Sequence, residues 1–361
     1  MRAVIVPYVL SRAFVVVALG ISRLVVDELA VVPRPLAVDQ GLLAWDAAWY
    51  ADIARGGYDA VAAEGLRFFP LVPLLARAVA WFPGVDTNLA LLLVANLSAF
   101  GLGFVLYRLA WFERHDDAFA RRAVWLVYLA PPAFVLVMGY SEATFMLLAA
   151  VVLLALRQQR WWVAAFAGLL AGGCRPIGLL LAVPALVEAV QQRRALTGRD
   201  IAARVTAVVA PVLGCFAYLT WAVDRTDDFF APFRIHEDPT RRGSVKFPVT
   251  NVVDTAQSFL DGGHNTAGMH LVTVALLAAL LVVLGRRWPA SYTCYAGAAL
   301  LLSLTASNLD SLERYALSTL PFVLAIADVA DTEARERVVL VAAAAGLVGA
   351  SVLAFTGVIV P

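Results

Sequence analysis

Apolar runs close to the length of a membrane span recur from one end of this chain to the other. The 361 residues are 61% hydrophobic and only 15% charged, whereas a soluble domain of this length exposes far more charge. Roughly 20 apolar residues are enough to cross a bilayer as a helix. The sequence therefore predicts an all-α polytopic membrane protein. Because no polar stretch is long enough for a separate soluble domain, we expect a single membrane-embedded domain over 1–361.

About eleven apolar segments are candidates for membrane spans, with a margin of about one because several are short. They are 3–26, 86–110, 122–138, 140–156, 161–174, 177–190, 203–223, 266–284, 289–306, 314–328 and 337–358. Short cytoplasmic loops retain positive charge. With the N-terminus inside, every cytoplasmic connection bears arginine, from "RLAWFERHDDAFARR" to "EARER". We therefore predict a multi-pass protein of the cell membrane with a cytoplasmic N-terminus and an outer C-terminus.

This topology leaves two long outer loops, at about 27–85 and about 225–265. Long loops in compact proteins are usually functional or disordered, and the aromatic and proline content of these two favours ordered structure on the membrane surface. The stretch 67–82 lies in the first loop and is apolar, but it is short and contains Arg77. We interpret it as an interfacial or re-entrant helix, because counting it as a span would move the arginine-rich loops outside.

Charge and composition exclude several classes of protein. The net charge is +1, and no basic tract suggests nucleic-acid binding. Lys246 is the only lysine among 28 basic residues, a bias typical of a GC-rich bacterial genome. Neither the scattered cysteines, Cys174, Cys215 and Cys294, nor the histidines have metal-ligand or disulfide spacing. We expect no metal site, and solvated or structural roles for His236, His264 and His270.

Once the spans are placed, unusual polar residues from separate parts of the chain fall at the outer face. They are Asp46 and Asp52 in the first loop, Arg67 before "FFP", Tyr140, Ser141 and Glu142 at one turn, Arg175 in "CRPIG", and "SNLDSLERY" at 307–315. Ionisable groups at this depth are costly, and they tend to be paired or functional. The grouping predicts a pocket that opens outward.

Asp46 stands between two tryptophans in "LLAWDAAWYADIARGGYD". If 44–55 is helical, Asp46, Tyr50 and Ile53 share one face, and the neighbouring aromatic residues favour the membrane interface. One interpretation is an amphipathic helix on the headgroups, with Asp46 simply facing water. The other is a carboxylate held in a partly dry aromatic site, which suits a general base.

Two arginines have alternative interpretations as well. Arg175 precedes Pro176 and Gly178, which break a helix and favour an anion site. Arg175 and Arg314 could instead extend to the headgroups, or each could pair with a carboxylate. For Arg314 that carboxylate could be a neighbour in the sequence, such as Glu313. Glu142 is as well suited to pairing with one of these arginines as to catalysis.

The motifs resemble those of the PIG-V family, enzymes that add the second mannose in GPI-anchor assembly. In that family Trp-Asp is followed by Ile-Ala, Gly-Tyr, Phe-Phe-Pro and a second Pro, then by Tyr-Ser-Glu, an Arg with Gly three residues on, and a late Arg-Tyr. Here these are Trp45, Asp46, Ile53, Ala54, Gly57, Tyr58, Phe68, Phe69, Pro70, Pro73, Tyr140, Ser141, Glu142, Arg175, Gly178, Arg314 and Tyr315. The matches are in order and cover most of the chain.

The resemblance implies a GT-C glycosyltransferase, a multi-span enzyme that takes a sugar from a polyprenyl phosphate and uses an acidic residue of its first outer loop. It implies that Asp46 is the catalytic base, and it has no counterpart for Asp52. The donor would be polyprenyl-phosphate mannose. Because a GC-rich bacterium makes no GPI anchors, the acceptor would be a phosphatidylinositol mannoside, a lipomannan-type glycolipid or another envelope glycan, met on the extracytoplasmic face.

The implied chemistry assigns the remaining roles. The phosphate leaving group needs cations, and we expect Arg175, Arg314 and Arg67 to bind it. Arg241, Arg242 and Lys246 are reserve candidates. Further substrate contacts are expected from Trp45, Tyr50, Phe69, Tyr140, Glu142 and Tyr315. Since no nucleotide is involved, neither a cofactor nor a metal is required.

Other functions remain open at this point. A donor carrying another sugar, such as arabinose or glucose, would use the same chemistry. A lipid or glycan transporter or flippase would be expected to show paired half-repeats and polar residues at the bilayer midplane, and we find neither. A membrane scaffold would leave the outward group of Asp and Arg without a purpose.

Overall fold

The computed structural model describes residues 1–191, 197–235, 245–262, 266–306 and 309–360. Within these ranges the regular elements are helices, apart from one isolated bridge between Val245 and Ala306. The chain divides into two compact units, one formed by Met1–Gly65, Pro70–Leu147 and Ile326–Pro361, the other by Leu66–Phe69 and Leu148–Ala325. The all-helical class predicted from the sequence is confirmed for the described residues. The single membrane domain stays a prediction.

Nine of the described α-helices lie wholly or partly in the first unit. They are α1 (Arg2–Glu28), α2 (Leu36–Gln40), α3 (Asp46–Gly56), α4 (Leu71–Val79), α5 (Thr87–Arg114), α6 (Asp117–Leu129), the first part of α7 (Glu142–Arg157), and, near the C-terminus, the end of α16 (Leu320–Val329) and α17 (Glu333–Phe355). In this unit α1 packs against α5, α6 and α17, and α4 packs against α3 and α5.

The second unit contains the rest of α7 and most of the remaining helices. These are α8 (Trp161–Cys174), α9 (Ala182–Gln191), α10 (Gly198–Thr226), α11 (Ala231–Arg234), α12 (Pro248–Leu260), α13 (Thr266–Arg287), α14 (Ala290–Leu304), α15 (Leu312–Ser318) and the start of α16 (Leu320–Val329). Its main packing contact joins α8 and α10, where backbones approach closely. A Cβ on Gly172 would lie 2.0 Å from the Pro211 carbonyl oxygen, as expected for small residues at a membrane helix interface.

Five helices of the described chain are long and apolar enough to cross a membrane: α1, α5, α10, α13 and α17. Four shorter apolar segments lie at Trp161–Cys174, Pro176–Gln191, Ala290–Leu304 and Leu320–Val329. The length and composition of these helices indicate a membrane-embedded protein. The count of eleven spans is not confirmed.

Prolines interrupt two of the predicted spans. In 122–138, α6 ends at Leu129, and a 3₁₀ helix, Pro131–Leu136, follows. In 314–328, α15 ends at Ser318, and Pro321 lies in the first turn of α16. Proline fits a helix start but cannot donate the hydrogen bond that a continuing helix requires. In the stretch predicted to be the first outer loop, α4 has nine residues, about 13 Å, which is far shorter than the hydrocarbon core.

Candidate active site

Asp46 is the first residue of α3, and the residue before it has an unusual backbone conformation. The preceding residue, Trp45, has φ +60° and ψ −126°, a conformation that bulky residues rarely adopt. The indole Nε1–H of Trp45 donates a hydrogen bond of 3.1 Å to the carbonyl oxygen of Ala354, in the last turn of α17. The first turn of a helix also favours negative charge. Asp46 is half-buried and lies in this first turn.

The segment 139–142 packs against the start of α3. The N–H of Gly139 donates to the carbonyl oxygen of Leu42 at 3.1 Å. The Tyr140 hydroxyl accepts a 3.3 Å hydrogen bond from the backbone N–H of Asp46. Farther along α3, the Tyr50 hydroxyl donates to Ser141 Oγ at 2.7 Å. The predicted residues Asp46, Tyr50 and Tyr140 are thus brought together in the first unit.

Glu142 follows this segment directly and begins α7. Its side chain is completely buried. Its carboxyl group therefore lies at the N-terminal end of a helix, toward which the helix dipole is positive. Whether Glu142 pairs with an arginine or acts in catalysis stays a prediction.

The far end of α3 is fixed by an arginine whose role the sequence analysis missed. Arg77 on α4 donates from Nε to the carbonyl oxygen of Ala54 at 2.9 Å, and from Nη2 to that of Ile53 at 3.1 Å. The last carbonyls of a helix have no partner within the helix, and a cation near them is favourable. Arg77 therefore caps α3, which explains a charge within an otherwise apolar stretch.

A second polar group in the first unit binds the backbone just before the segment 139–142. Arg12 on α1 donates to the carbonyl oxygen of Leu136 at 2.9 Å and to Asn96 Oδ1 at 3.2 Å. Asn96 on α5 in turn donates from Nδ2 to the carbonyl oxygen of Val137 at 3.0 Å. We call Arg12 and Asn96 the carbonyl clamp. The one signal for it in the sequence is an arginine inside the first apolar run.

In the second unit, residues 66–69 are attached to α10. The Tyr218 hydroxyl donates to the carbonyl oxygen of Leu66 at 2.7 Å, and the rings of Phe69 and Tyr218 lie 4.6 Å apart. The guanidinium carbon of Arg67 is 4.7 Å from the centre of the Phe68 ring. The aromatic motif thus packs Phe69 into the core, where it is 1% exposed, and its expected contact with substrate stays a prediction.

Arg175 occupies the turn between α8 and a 3₁₀ helix, Pro176–Leu181. Its guanidinium carbon lies 5.6 Å from the ring centre of Tyr315, within cation–π range, so the structure brings these two predicted residues together. A Cβ on Gly178 would lie 2.1 Å from the carbonyl oxygen of Ala171, so only glycine fits the turn. The Gly178 N–H donates to the Arg175 carbonyl oxygen and is thus already used. The N–H of Gly178 is therefore not free to bind an anion.

Arg314 lies on α15, and its Nη2 is 3.2 Å from Ser311 Oγ. The neighbouring carboxylate of Glu313 faces a different helix. It accepts hydrogen bonds from His270 Nδ1 at 3.0 Å and from Thr273 Oγ1 at 2.9 Å, both on α13. His270 is 5% exposed, and its Nε2 is 3.5 Å from Asp310. The histidine therefore ties α13 to the segment that carries Arg314, a structural role.

The remaining residues singled out in the sequence either pair with a nearby side chain or lie outside the described residues. Asp52 is exposed and pairs with Arg55 at 2.7 Å. Lys246 pairs with Asp254 at 2.9 Å. Arg241, Arg242, His236 and His264 lie outside the described residues. Within the described ranges, no group of three His, Cys, Asp or Glu side chains could hold a metal ion. The single outward pocket expected from the sequence stays a prediction.

A comparison with protein families matches residues 2–221 to the family described as Mannosyltransferase (PIG-V). This range covers more than half of the chain. The chain belongs to the PIG-V mannosyltransferase family. Comparisons with curated proteins and with solved structures gave no match.

The matched range includes the residues that surround Asp46 in this PIG-V protein. Asp46, Tyr140, Glu142 and Arg175 all lie within the matched range, whereas Arg314 lies beyond it. The roles expected for these residues stay predictions. Arg314 depends on its sequence motif and on its proximity along the chain to Tyr315.

Proposed function

We propose that this protein is a membrane mannosyltransferase that moves mannose from polyprenyl-phosphate mannose to a glycolipid or glycan acceptor on the extracytoplasmic face. The observation that supports this most is the position of Asp46. The residue lies within the range matched by a mannosyltransferase family, and its backbone is fixed by Trp45 on one side and by the Tyr140 hydroxyl on the other.

The reaction is a direct displacement. An acceptor hydroxyl, whose pKa lies far above 7, attacks the anomeric carbon while Asp46 takes the hydroxyl proton. The new glycosidic bond forms as the bond between the anomeric carbon and the phosphate oxygen breaks, so the sugar configuration inverts. The leaving group is a polyprenyl phosphate anion, and no cofactor or metal takes part in this scheme.

The developing charge on the phosphate requires fixed cations. Arg175 and Arg314 fill this role, with Arg67 as a further contact. A guanidinium group offers a planar fork of donors that matches two phosphate oxygens. The buried position of Arg175, 7% exposed, strengthens such an interaction because less water competes for the donors.

Product formation tests the reaction. Purified protein in liposomes is given polyprenyl-phosphate [¹⁴C]mannose together with a lipid extract of its host, and the products are separated by thin-layer chromatography. Labelled glycolipid is the expected result. A donor carrying arabinose or glucose, tested in parallel, identifies another sugar if only that donor gives product. Movement of intact donor between leaflets without product would contradict the proposal and favour a flippase.

The outward-facing site is tested by cysteine labelling. Ala62 lies in the first long loop and Arg199 in a predicted cytoplasmic connection, and both are exposed. One cysteine at a time is introduced at these positions, in a Cys294→Ser background because Cys294 is exposed. Intact cells are then treated with a membrane-impermeant maleimide. We expect labelling at position 62 and none at 199 until the cells are lysed. The reverse pattern would refute the orientation.

A further inference from the structure

Helix α12 buries a polar side chain against protein and exposes a stripe of apolar side chains. Asn251 is 1% exposed, and its Nδ2 donates to the carbonyl oxygens of Leu304 and Ala306 at the end of α14. On the other side, Val249, Val253 and Leu260 are 64%, 46% and 80% exposed. At 100° per residue these three side chains fall within about 40° of one another. The side chain of Asn251 therefore attaches the helix to protein, and an apolar stripe faces outward.

This orientation is fixed by the chain at the start of α12. The N–H of Lys246 donates to the carbonyl oxygen of Thr305 at 2.8 Å, and Val245 and Ala306 form an antiparallel bridge. The helix packs against both α13 and α14. Because Asn251 adds a further attachment to the same end of α14, α12 cannot rotate its apolar stripe into the protein without breaking these hydrogen bonds.

The surroundings identify what covers the stripe. Helix α13 is a candidate membrane span, and it also exposes apolar side chains, with Met269 at 40%, Val272 at 69% and Leu276 at 50%. The exposed sides of a spanning helix face acyl chains. The thirteen residues of α12 extend about 20 Å, too short to cross the hydrocarbon core but long enough to lie within one leaflet.

We propose that α12 is an interfacial helix half-embedded in the bilayer, with the stripe of Val249, Val253 and Leu260 among lipid acyl chains. The partner is the bilayer itself, and neither water nor a second copy of the chain covers the stripe. The proposal concerns membrane contact and does not depend on the reaction proposed above.

Nitroxide scanning tests it directly. Spin labels are placed singly at positions 253 and 260, with position 258 as the control because Ser258 is equally an exposed residue of α12 but lies about 160° from Leu260 around the helix. The Cys294→Ser protein is reconstituted in liposomes, and collision rates are measured with oxygen, which concentrates in lipid, and with a water-soluble nickel chelate. Activity or thermal unfolding shows that each variant is folded.

We expect oxygen collisions to dominate at 253 and 260, and nickel collisions to dominate at 258. Dominant nickel collisions at 253 would show that the stripe faces water and would overturn the proposal. Spin–spin broadening at 253 that disappears on dilution with unlabelled protein would identify a second copy as the partner, and this would overturn it as well.

Discussion

The carbonyl clamp gives a quantitative test of how the site is held. Asn96→Leu removes two hydrogen bonds that reach beyond α5, the one to the carbonyl oxygen of Val137 and the one from Arg12 Nε, and a third to the carbonyl oxygen of Leu92 within α5, while it keeps a side chain of similar size. Hydrogen bonds between membrane helices average about 0.6 kcal/mol each, so the variant loses about 1 kcal/mol of support for the segment that leads to Tyr140. Because about 1.4 kcal/mol corresponds to a tenfold change in rate, we expect kcat to fall about five-fold.

The assay separates positioning from folding. Initial rates of mannosyl transfer are measured over a range of donor concentrations, and the donor KM should stay near the parent value because neither Arg12 nor Asn96 is among the proposed phosphate contacts. Arg12→Lys should show a smaller loss, since lysine keeps the charge but not the fork. Ser22→Ala is the control, because Ser22 on α1 bonds only to the carbonyl oxygen of Ala18 in its own helix. A folded Asn96→Leu protein with the parent kcat would refute the positioning role.

Two further predictions concern the second unit. Arg175→Ala and Arg314→Ala should each raise the KM for the phosphate-linked donor, and the lysine variants should recover only part of the loss; unchanged donor dependence in both alanine variants would make these arginines structural. Gly178→Ala should lower the midpoint of thermal unfolding, since its Cβ would meet the Ala171 carbonyl oxygen at 2.1 Å and overpacking costs about 1–3 kcal/mol. Gly198→Ala, where a Cβ meets nothing within 4 Å, is its control, and equal midpoints would contradict the packing argument.

The sequence was sufficient for features that depend on local pattern. Run length and composition are properties of short windows, and they predicted the helical membrane class that the long helices display. The helix considered at 44–55 is observed as α3, which begins at Asp46 itself. The breaks at Pro131 and Pro321 agree with the preference of proline for helix starts, but hydropathy alone does not show them, and Pro7 and Pro211 lie inside continuous helices.

The features that the sequence analysis missed join residues that are distant along the chain. Arg12 and Asn96 are separated by 84 positions, and His270 and Glu313 by 43. Arg77 is paired with backbone carbonyls, which carry no sequence signal at all. Trp45 was expected to contact substrate because it is an aromatic residue beside Asp46, yet its indole N–H is bonded to α17. Tertiary hydrogen bonds of this kind depend on packing, which a one-dimensional pattern does not specify.

The central claim is that the carboxylate of Asp46 is the catalytic base. Asp46→Asn removes the base but keeps the side-chain size, and it retains the hydrogen bond from the backbone N–H to Tyr140, which does not involve the side chain. Asp52→Asn is the matched control on the same helix, because Asp52 is exposed and bonds only to Arg55. With labelled polyprenyl-phosphate mannose, Asp46→Asn should lose about 10²–10⁴ in turnover, while Asp52→Asn should stay near the parent rate. A stable Asp46→Asn protein that transfers mannose at the parent rate would contradict the account.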